Sequence, residues 1–425
     1  MGQTSLRALK HRDFAVIWWC ALVSNSGQWL QQVALPFVVY DLTESNAWLG
    51  RVAFANMLPA LFLTPLAGVV ADRVPRRLIL LFTTVVQTGV AVTLFVLWTT
   101  DQLTAWRILG LSLVFGTSNG IQVPSWQSFI PLLVPRESLL PAVRLNSMQF
   151  TAARAIGPAS AAIVLATWGP GGAFLLNAVT FGLVLSALLV VRPRAIASQG
   201  RGERLRVVLR EGIQYVRARH TVMQAMATTF VISCFGQSLI QLAAGIAEEE
   251  YHVDERGLSF LIAATGTGAI VASVFVVVRA DFIRRSRMAL SGLVLYCVGV
   301  LLIGLAPNFT VGLLGFFVNG AAHVQVAISM NTSIQIQVAE EIRGRVLSIY
   351  LMGVFAGMPI GALVGGTLGD VIGLRPVIVG YAVVLALYIV VVLTLFGRLE
   401  RLDVDHDVLT EPAPRPSGLQ SPATG

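Results

Sequence analysis

Hydrophobic positions along the chain run in unbroken blocks rather than in stripes. Leu78 to Trp98 (LILLFTTVVQTGVAVTLFVLW) carries no charge at all. About 20 such residues let one helix cross a bilayer, whereas a helix on a soluble core keeps one polar face. On this criterion the sequence predicts helices at about 14–40, 47–70, 78–98, 105–128, 147–167, 172–192, 221–247, 257–279, 288–306, 310–335, 347–369 and 373–396. Most links are short, so neighbours run antiparallel. The long link is 193–220. The expected fold is an all-α polytopic membrane protein of twelve transmembrane helices in two pseudo-symmetric six-helix bundles. Its expected units are an N-terminal bundle at 1–192, a cytoplasmic basic linker at 193–220, a C-terminal bundle at 221–397 and a disordered cytoplasmic tail at 398–425.

Composition agrees: 55% of residues are hydrophobic and 12% charged, about half the charged fraction of a soluble protein. Cys20, Cys234 and Cys297 lie in apolar stretches without metal-type or paired spacing and are expected to pack as small apolar side chains. Met1 to Asp13 is polar and basic, and no cleavable leader is expected. The net charge of +8 raises nucleic acid as a partner, but the placement of the charges rules it out. With the N-terminus in the cytoplasm, all but four of the 30 basic residues fall in cytoplasmic segments; Arg51, Arg107, Arg256 and Arg375 are the four. Cytoplasmic loops carry this excess in membrane proteins, so a multi-pass protein of the cell membrane with both termini cytoplasmic is expected. The sequence has no nucleotide-binding loop, zinc motif or nucleophile elbow. Neither an enzyme nor a cofactor or metal site is expected, and an ion gradient is the expected energy source.

The two halves share a pattern. Ser24, Gly27, Gln28, Leu30, Gln32 and Ala34 match Ser233, Gly236, Gln237, Leu239, Gln241 and Ala243 at one offset. Asp72 and Arg76 match Asp281 and Arg285 at that same offset, each after the second helix of its half. Asn119-Gly120 matches Asn319-Gly320, and Glu137, Ile156, Gly157 and Gly169 match Glu341, Ile360, Gly361 and Gly373. Repeated halves with a site near the membrane midplane are a transporter architecture.

The loop after the second helix reads Gly68-Val-Val-Ala-Asp72-Arg73-Val-Pro-Arg76-Arg77. It resembles the signature G-x-x-x-D-R-x-x-R-R of the major facilitator superfamily, and the resemblance extends over all twelve helices. The second copy, Asp281 with Arg284 and Arg285, lacks the glycine. Leu35-Pro36, Val39 to Thr43, Leu132 to Pro135, Leu145-Asn146-Ser147, Arg154-Ala-Ile-Gly157-Pro158 and Arg343-Gly344-Arg345 resemble the group containing the enterobactin exporter and macrolide efflux pumps. Similar loops occur in lysophospholipid transporters. The resemblance implies multidrug or siderophore export, usually by proton antiport.

Polar side chains inside a bilayer are costly and by default point inward. Asn25, Gln28 and Gln32 lie on one face of the first helix, and Asn119, Gln122 and Trp126 share that spacing in the fourth. Gln237 and Gln241 lie in the seventh, and Asn319 and His323 in the tenth. The facilitator fold implies that these four helices line a central cavity. Two readings stand: these residues contact a small-molecule substrate, or they tie helices together. His323, with an ordinary pKa near 6.5, is a candidate proton or substrate contact. Arg154, read as two turns inside the fifth helix, either snorkels to the surface, pairs locally or attracts an anionic substrate. No Asp or Glu lies near the middle of a predicted span, which argues against a strongly cationic substrate and weakens ordinary proton coupling. Asp41 or Glu44 at the cavity mouth is the expected substitute, so the proton-coupling candidates are His323, Asp41 and Arg154.

The loop Gly68, Asp72, Arg73, Arg76 and Arg77, with Asp281 and Arg285, is expected to act as a gate latch. Gly353, Gly357, Gly361, Gly365 and Gly369 form a glycine ridge, and with Gly157 and Pro158 they are expected to smooth the interface between the halves. The expected function is a secondary exporter of a small amphipathic or hydrophobic molecule, driven by protons, in the bilayer as a monomer. A lysophospholipid translocator and a non-transporting sensor or scaffold are the alternatives.

Overall fold

A computed structural model of the chain describes residues 5–71, 74–191, 193, 214–279, 284–338 and 340–394. Twelve long helices follow the predicted spans. They are α1 (Arg12–Thr43), α2 (Asn46–Ala71), α3 (Arg76–Thr99) and α4 (Ala105–Phe129). One helical run, Leu139–Val190, is broken at Gly169 into α5 (139–168) and α6 (170–190). The second half holds α7 (His220–Phe235), α8 (Glu255–Arg279), α9 (Arg285–Leu305), α10 (Phe309–Gln337), α11 (Glu340–Ile372) and α12 (Leu374–Thr394). The tail at 398–425 and most of the 193–220 link lie outside the described residues.

Two predicted boundaries change, and both changes bear on the site. Helix five begins at Leu139 rather than at 147. Arg154 therefore lies midway along it, with about 22 Å of helix on either side, further than its side chain can snorkel. Helix seven does not run unbroken to 247. It stops at Phe235, and Gly236 leaves the helical region at φ −122°, ψ −56°. A 3-10 turn (Gln237–Ile240) and two short turns carry the chain to Glu250. A Cβ at Gly236 would overlap the ring of Tyr296 on α9, so a side chain there is excluded where the helix breaks.

The repeat read from the sequence has structural counterparts. Gly169 and Gly373, matched above, both adopt positive φ (64° and 86°) and turn the chain between the last two helices of each half. Glycine takes that conformation without a Cβ clash. Thr104 and Asn308 cap α4 and α10, their side-chain oxygens accepting from Arg107 N at 3.4 Å and Val311 N at 3.1 Å. A Cβ at Gly120 would lie 2.7 Å from Ala60 Cα on α2, and one at Gly320 would lie 2.9 Å from Thr265 Cα on α8. Gly157 likewise fits α5 against Trp29 and Ser26 of α1, and Gly361 fits α11 against Cys234 and Ser238 of α7.

These contacts correct the expectation for the glycine ridge. Gly157, Gly357 and Gly361 pack against α1 or α7 of their own bundle, and Gly365 against Tyr381 and Leu242. Gly369 meets Leu374 and, across the seam, Asn46 Cβ at 3.5 Å, and Gly353 has nothing within 4 Å. Pro158 is buried beside Gly157. Besides Gly369, the glycines that admit the opposite bundle are Gly50 (against Ala362 and Leu363), Gly245 and Gly366 (both against Asn46), and Gly266 (3.7 Å from Arg154 O).

The outside of the helices is apolar. Phe82, Trp106 and Ile163 are 67%, 71% and 67% exposed, a surface suited to lipid rather than to water. Among the described residues, nine helices are long and apolar enough to cross a membrane by length and composition. The three falling short are α1, α4 and α5, which carry the clustered amides and Arg154. Tryptophans collect near helix ends, as in interfacial belts; Trp29, midway along α1, is the exception.

Gly361→Ala is expected to destabilise the protein by about 1–3 kcal/mol, because the new methyl meets the Cys234 backbone rather than a movable side chain. Gly353→Ala, in open space, is expected to be neutral or slightly stabilising. Melting temperatures of the purified variants check the pair.

Candidate functional site

The site builds up from the break in α7. Below Gly236 the chain turns Gln237 towards α9, where Tyr296 Oη donates to Gln237 Oε1 at 3.3 Å. Tyr296 is fully buried, and its oxygen also lies 3.3 Å from His323 Nδ1 on α10. With the phenol hydrogen given to Gln237, the imidazole is the donor in the second contact. From the other bundle comes Arg154. Its Cζ lies 5.4 Å from the Trp29 ring centroid, an attractive cation–π distance. Gly157, one turn further along α5, brings that helix close enough to α1 for the stacking. The Arg154 charge acts on both Tyr296 and His323. The middle of the molecule thus brings together two residues of one bundle and three of the other.

The amides divide into two sets. Gln122 accepts from Gln87 Nε2 at 2.9 Å and donates to Thr84 Oγ1 at 3.4 Å. Trp126 is buried and donates to Asn146 Oδ1 at 3.1 Å. Both therefore tie α4 to its neighbours. Asn25, Gln28, Asn119 and Gln241 are half-buried and Gln32 is exposed. Among the described residues these five make no side-chain hydrogen bond. Asn319 is 5% exposed and its Nδ2 has no acceptor among the described residues.

In the loop expected to latch, Asp72, Arg73 and Asp281 lie outside the described residues, and Gly68 lies in the last turns of α2. Arg76 and Arg77 open α3, and Arg285 opens α9. Arg77 donates to Leu188 O at 2.7 Å and to Leu189 O at 2.6 Å. It satisfies the free carbonyls ending α6 and ties α3 to α6 within one bundle.

A different set of residues joins the bundles, at the end far from the N-terminus. Asn46, the first residue of α2, is 1% exposed and sits against Gly245 and Gly366 of the other half. Its Nδ2 donates to Glu249 Oε1 at 2.6 Å, and Tyr40 Oη donates to the same oxygen at 2.7 Å. Asp370, at the end of α11, accepts from Ser45 Oγ at 2.5 Å, Asn46 N at 2.6 Å and Ala47 N at 3.3 Å. A carboxylate of one bundle thus caps the first turn of a helix in the other, where free N–H groups and the helix dipole favour negative charge. Between described residues, every hydrogen bond joining the bundles belongs to this clasp. Exposed Asp41 lies one residue beyond Tyr40.

Asn46, Trp29 and Tyr296 were not singled out by the sequence, and Tyr40 entered only as part of the Val39 to Thr43 motif. Asn46 lies one residue before the helix predicted at 47–70, where a Ser-Asn pair before an apolar run is a helix-start signal. Trp29 stands among the amides of the first helix and Tyr296 in an apolar run, and only their mid-helix position marks them.

Residues 3–417 match the family described as transmembrane secretion effector. The chain belongs to this branch of the major facilitator superfamily. It is 24% identical over 354 residues to the staphyloferrin A transporter of Staphylococcus aureus, covering 82% of this chain and 87% of that protein. It is 22% identical over 414 residues to the multidrug efflux pump Tap of Mycolicibacterium fortuitum, covering 93% and 98%. In fold it is similar to a bacterial homolog of the human lysosomal transporter Spinster in an inward-facing, unoccupied conformation. That likeness has a TM-score of 0.72 at 15% identity and covers 89% of this chain and 96% of that one. The nucleoside transporter NupG gives 0.72 at 12%, covering 91% and 100%. This facilitator is therefore a multi-pass membrane transporter and not an enzyme.

Each hydrogen bond to the clasp carboxylates is worth about 1.5–3 kcal/mol. Asn46→Ala or Asp370→Asn is thus expected to shift the facilitator about tenfold or more towards a state parted at this end. Spin labels on cysteines replacing Leu42 and Val371, with Cys20, Cys234 and Cys297 removed, report the distance across the clasp; an unchanged distribution contradicts its role.

Proposed function

We propose that this protein is a proton-driven exporter of a small amphipathic or hydrophobic molecule, working by alternating access across the cell membrane. The observation carrying the reading is the placement of hydrogen bonds between the bundles: among the described residues they gather at one end, while partly exposed amides in the middle make no side-chain hydrogen bond. With the arginine-rich end in the cytoplasm, as the charge asymmetry favours, the clasp is the outer gate in this reading, closed when the exporter faces inward. The relatives named for staphyloferrin A and for multidrug efflux support an exporter, and Asn25, Gln28, Gln32, Asn119, Gln241 and His323 are the substrate contacts in this reading. The decisive experiment is flux in proteoliposomes under an imposed pH gradient, with drugs, siderophores and lysolipids as cargo. Gradient-driven movement of a drug or siderophore supports it; movement of lysolipids alone reassigns the protein to lipid translocation, and no movement of any cargo rejects transport.

The proton-sensitive element in this reading is the acidic rim of the clasp. Glu248 of the second bundle has its carboxyl held above the ordinary glutamate range, first by burial and then by Asp41, Glu44 and Glu249. Asp41 and Glu44 belong to the first bundle, so part of this repulsion acts across the seam. Glu250 is engaged by Arg375, His252 Nδ1 lies 3.1 Å from the Glu248 carbonyl oxygen, and Asp370 faces α2. A carboxyl with a raised pKa binds its proton more tightly when the seam is closed. Acidification through its range is therefore expected to favour closure, and alkalinisation to favour opening. Such a sign suits antiport, because a proton taken from outside returns the exporter to its inward-facing form. Glu248→Gln is expected to favour closure and to flatten the pH dependence of the Leu42–Val371 label distance; a retained pH dependence would remove Glu248 from the element.

A further inference from the structure

Among the described residues, Arg154 is the only charged side chain more than two turns from a helix end. A charge at the bilayer centre costs about 3 kcal/mol even on the mildest scale, and buried arginines usually pair with a carboxylate. Arg154 has none among the described residues. Its partner is the Trp29 ring, which satisfies the face of the guanidinium and leaves the N–H edge of a five-donor fork without an acceptor among the described residues. That edge is an oxyanion receptor in geometry and charge. The surroundings are neutral hydrogen-bonding groups: Tyr296, which engages Gln237 and His323, with the Arg154 charge acting on Tyr296 and His323. A cationic cargo would meet repulsion here and no counter-charge.

We propose that Arg154 and Trp29 form the headgroup end of the cargo site, and that the cargo is an amphipathic organic anion. Its oxyanion, a carboxylate or a phosphate, pairs with the guanidinium and takes a hydrogen bond from the side-chain amide N–H of Gln237, whose oxygen is already engaged by Tyr296. Its apolar body lies against Trp29. Arg154 and Trp29 belong to one bundle and the Gln237–Tyr296–His323 group to the other, so a bound anion bridges the two. This inference rests on the exporter reading for its consequence in transport, but the binding itself is tested separately.

The test is ligand-induced thermal stabilisation of the full-length protein in nanodiscs of neutral lipid. The probes are dodecanoate, dodecanol, dodecyltrimethylammonium and 1-lauroyl-lysophosphatidylglycerol. Dodecanoate is expected to bind at least about tenfold more tightly than dodecanol, a difference of about 1.4 kcal/mol, and the ammonium more weakly than either. Arg154→Gln is expected to abolish the preference for the anion while leaving dodecanol binding unchanged, and Arg154→Lys to retain part of it. Equal binding of all headgroups by the wild type overturns the proposal, even where the variant fails to fold. Parallel loss of dodecanoate and dodecanol binding in a folded Arg154→Gln protein also overturns it, because that pattern is structural. Arg154-dependent preference for the lysolipid over dodecanoate assigns the anion to a phosphate headgroup, and the reverse order to a carboxylate; both uphold the site. Anion-selective binding without flux of any cargo in proteoliposomes rejects the exporter and leaves the anion site standing. Flux of cargo with no headgroup preference does the opposite.

Discussion

The structure depends on one contact: the insertion of Asn46 between Gly245 and Gly366, with Asp370 capping the helix that Asn46 begins. Two bundles in lipid gain little from the hydrophobic effect when they meet, since lipid tails are as apolar as the helices. Close packing and hydrogen bonds must hold them. Here both occur at one end, and each requires the other. A Cβ on either glycine would push Asn46 out, and without Asn46 in place the carboxylates of Glu249 and Asp370 would each lose a donor. Such a joint is strong while intact and is lost as a unit. Those properties fit a gate better than a permanent weld.

Glycine does two different jobs along this chain, and sequence spacing does not separate them. Within the regular ridge on α11, Gly357 and Gly361 form an intrabundle surface that lets it lie close to α7. The seam between bundles uses isolated glycines on α2, α8 and α11 and in the turns after α7. A ridge of period four favours prolonged contact along one helix, which suits a rigid bundle. A few separated points of approach let one bundle move over the other without unlocking a long interface.

Much of the fold could be read from the sequence because its causes are local. Charge-free blocks predicted the helices, arginine placement separated the two ends, and Gly169 and Gly373, matched as part of the repeat, fall at two turns with positive φ. The site was less legible because its causes are not local. Asn46 acquires meaning only from Glu249 and Asp370, hundreds of residues away. Gln122 and Trp126 have the spacing of cavity residues, yet a neighbouring Gln87 and Asn146 claim them; periodicity gives the face of a helix, not the partner waiting there. The break in α7 was hidden in an apolar run, since only the Tyr296 ring explains why Gly236 stands where it does. Arg154 was visible from the start, but its depth was misjudged by the two turns by which α5 extends beyond its prediction.

That depth changes the electrostatic description of the whole molecule. The middle holds a cation without a carboxylate, while the carboxylates gather at the clasp, on both sides of the seam. A buried ion pair at the midplane would have fixed the two bundles to one another, because separating it would strand two charges in low dielectric. Keeping the signs apart avoids that lock. Arg154 can exchange a neutral hydrogen-bonding environment for an anionic ligand, and the rim can exchange protons with water, without either event breaking a bond the other needs. The two sites then communicate only through the geometry of the bundles: whatever draws Arg154 and His323 together at the middle acts on the same rigid bodies that Asn46 holds at the end. Coupling of this kind needs no chain of titrating residues between the sites. It requires bundles stiff enough to transmit a small rotation, and the glycine ridge packing α11 onto α7 provides that stiffness in the second bundle.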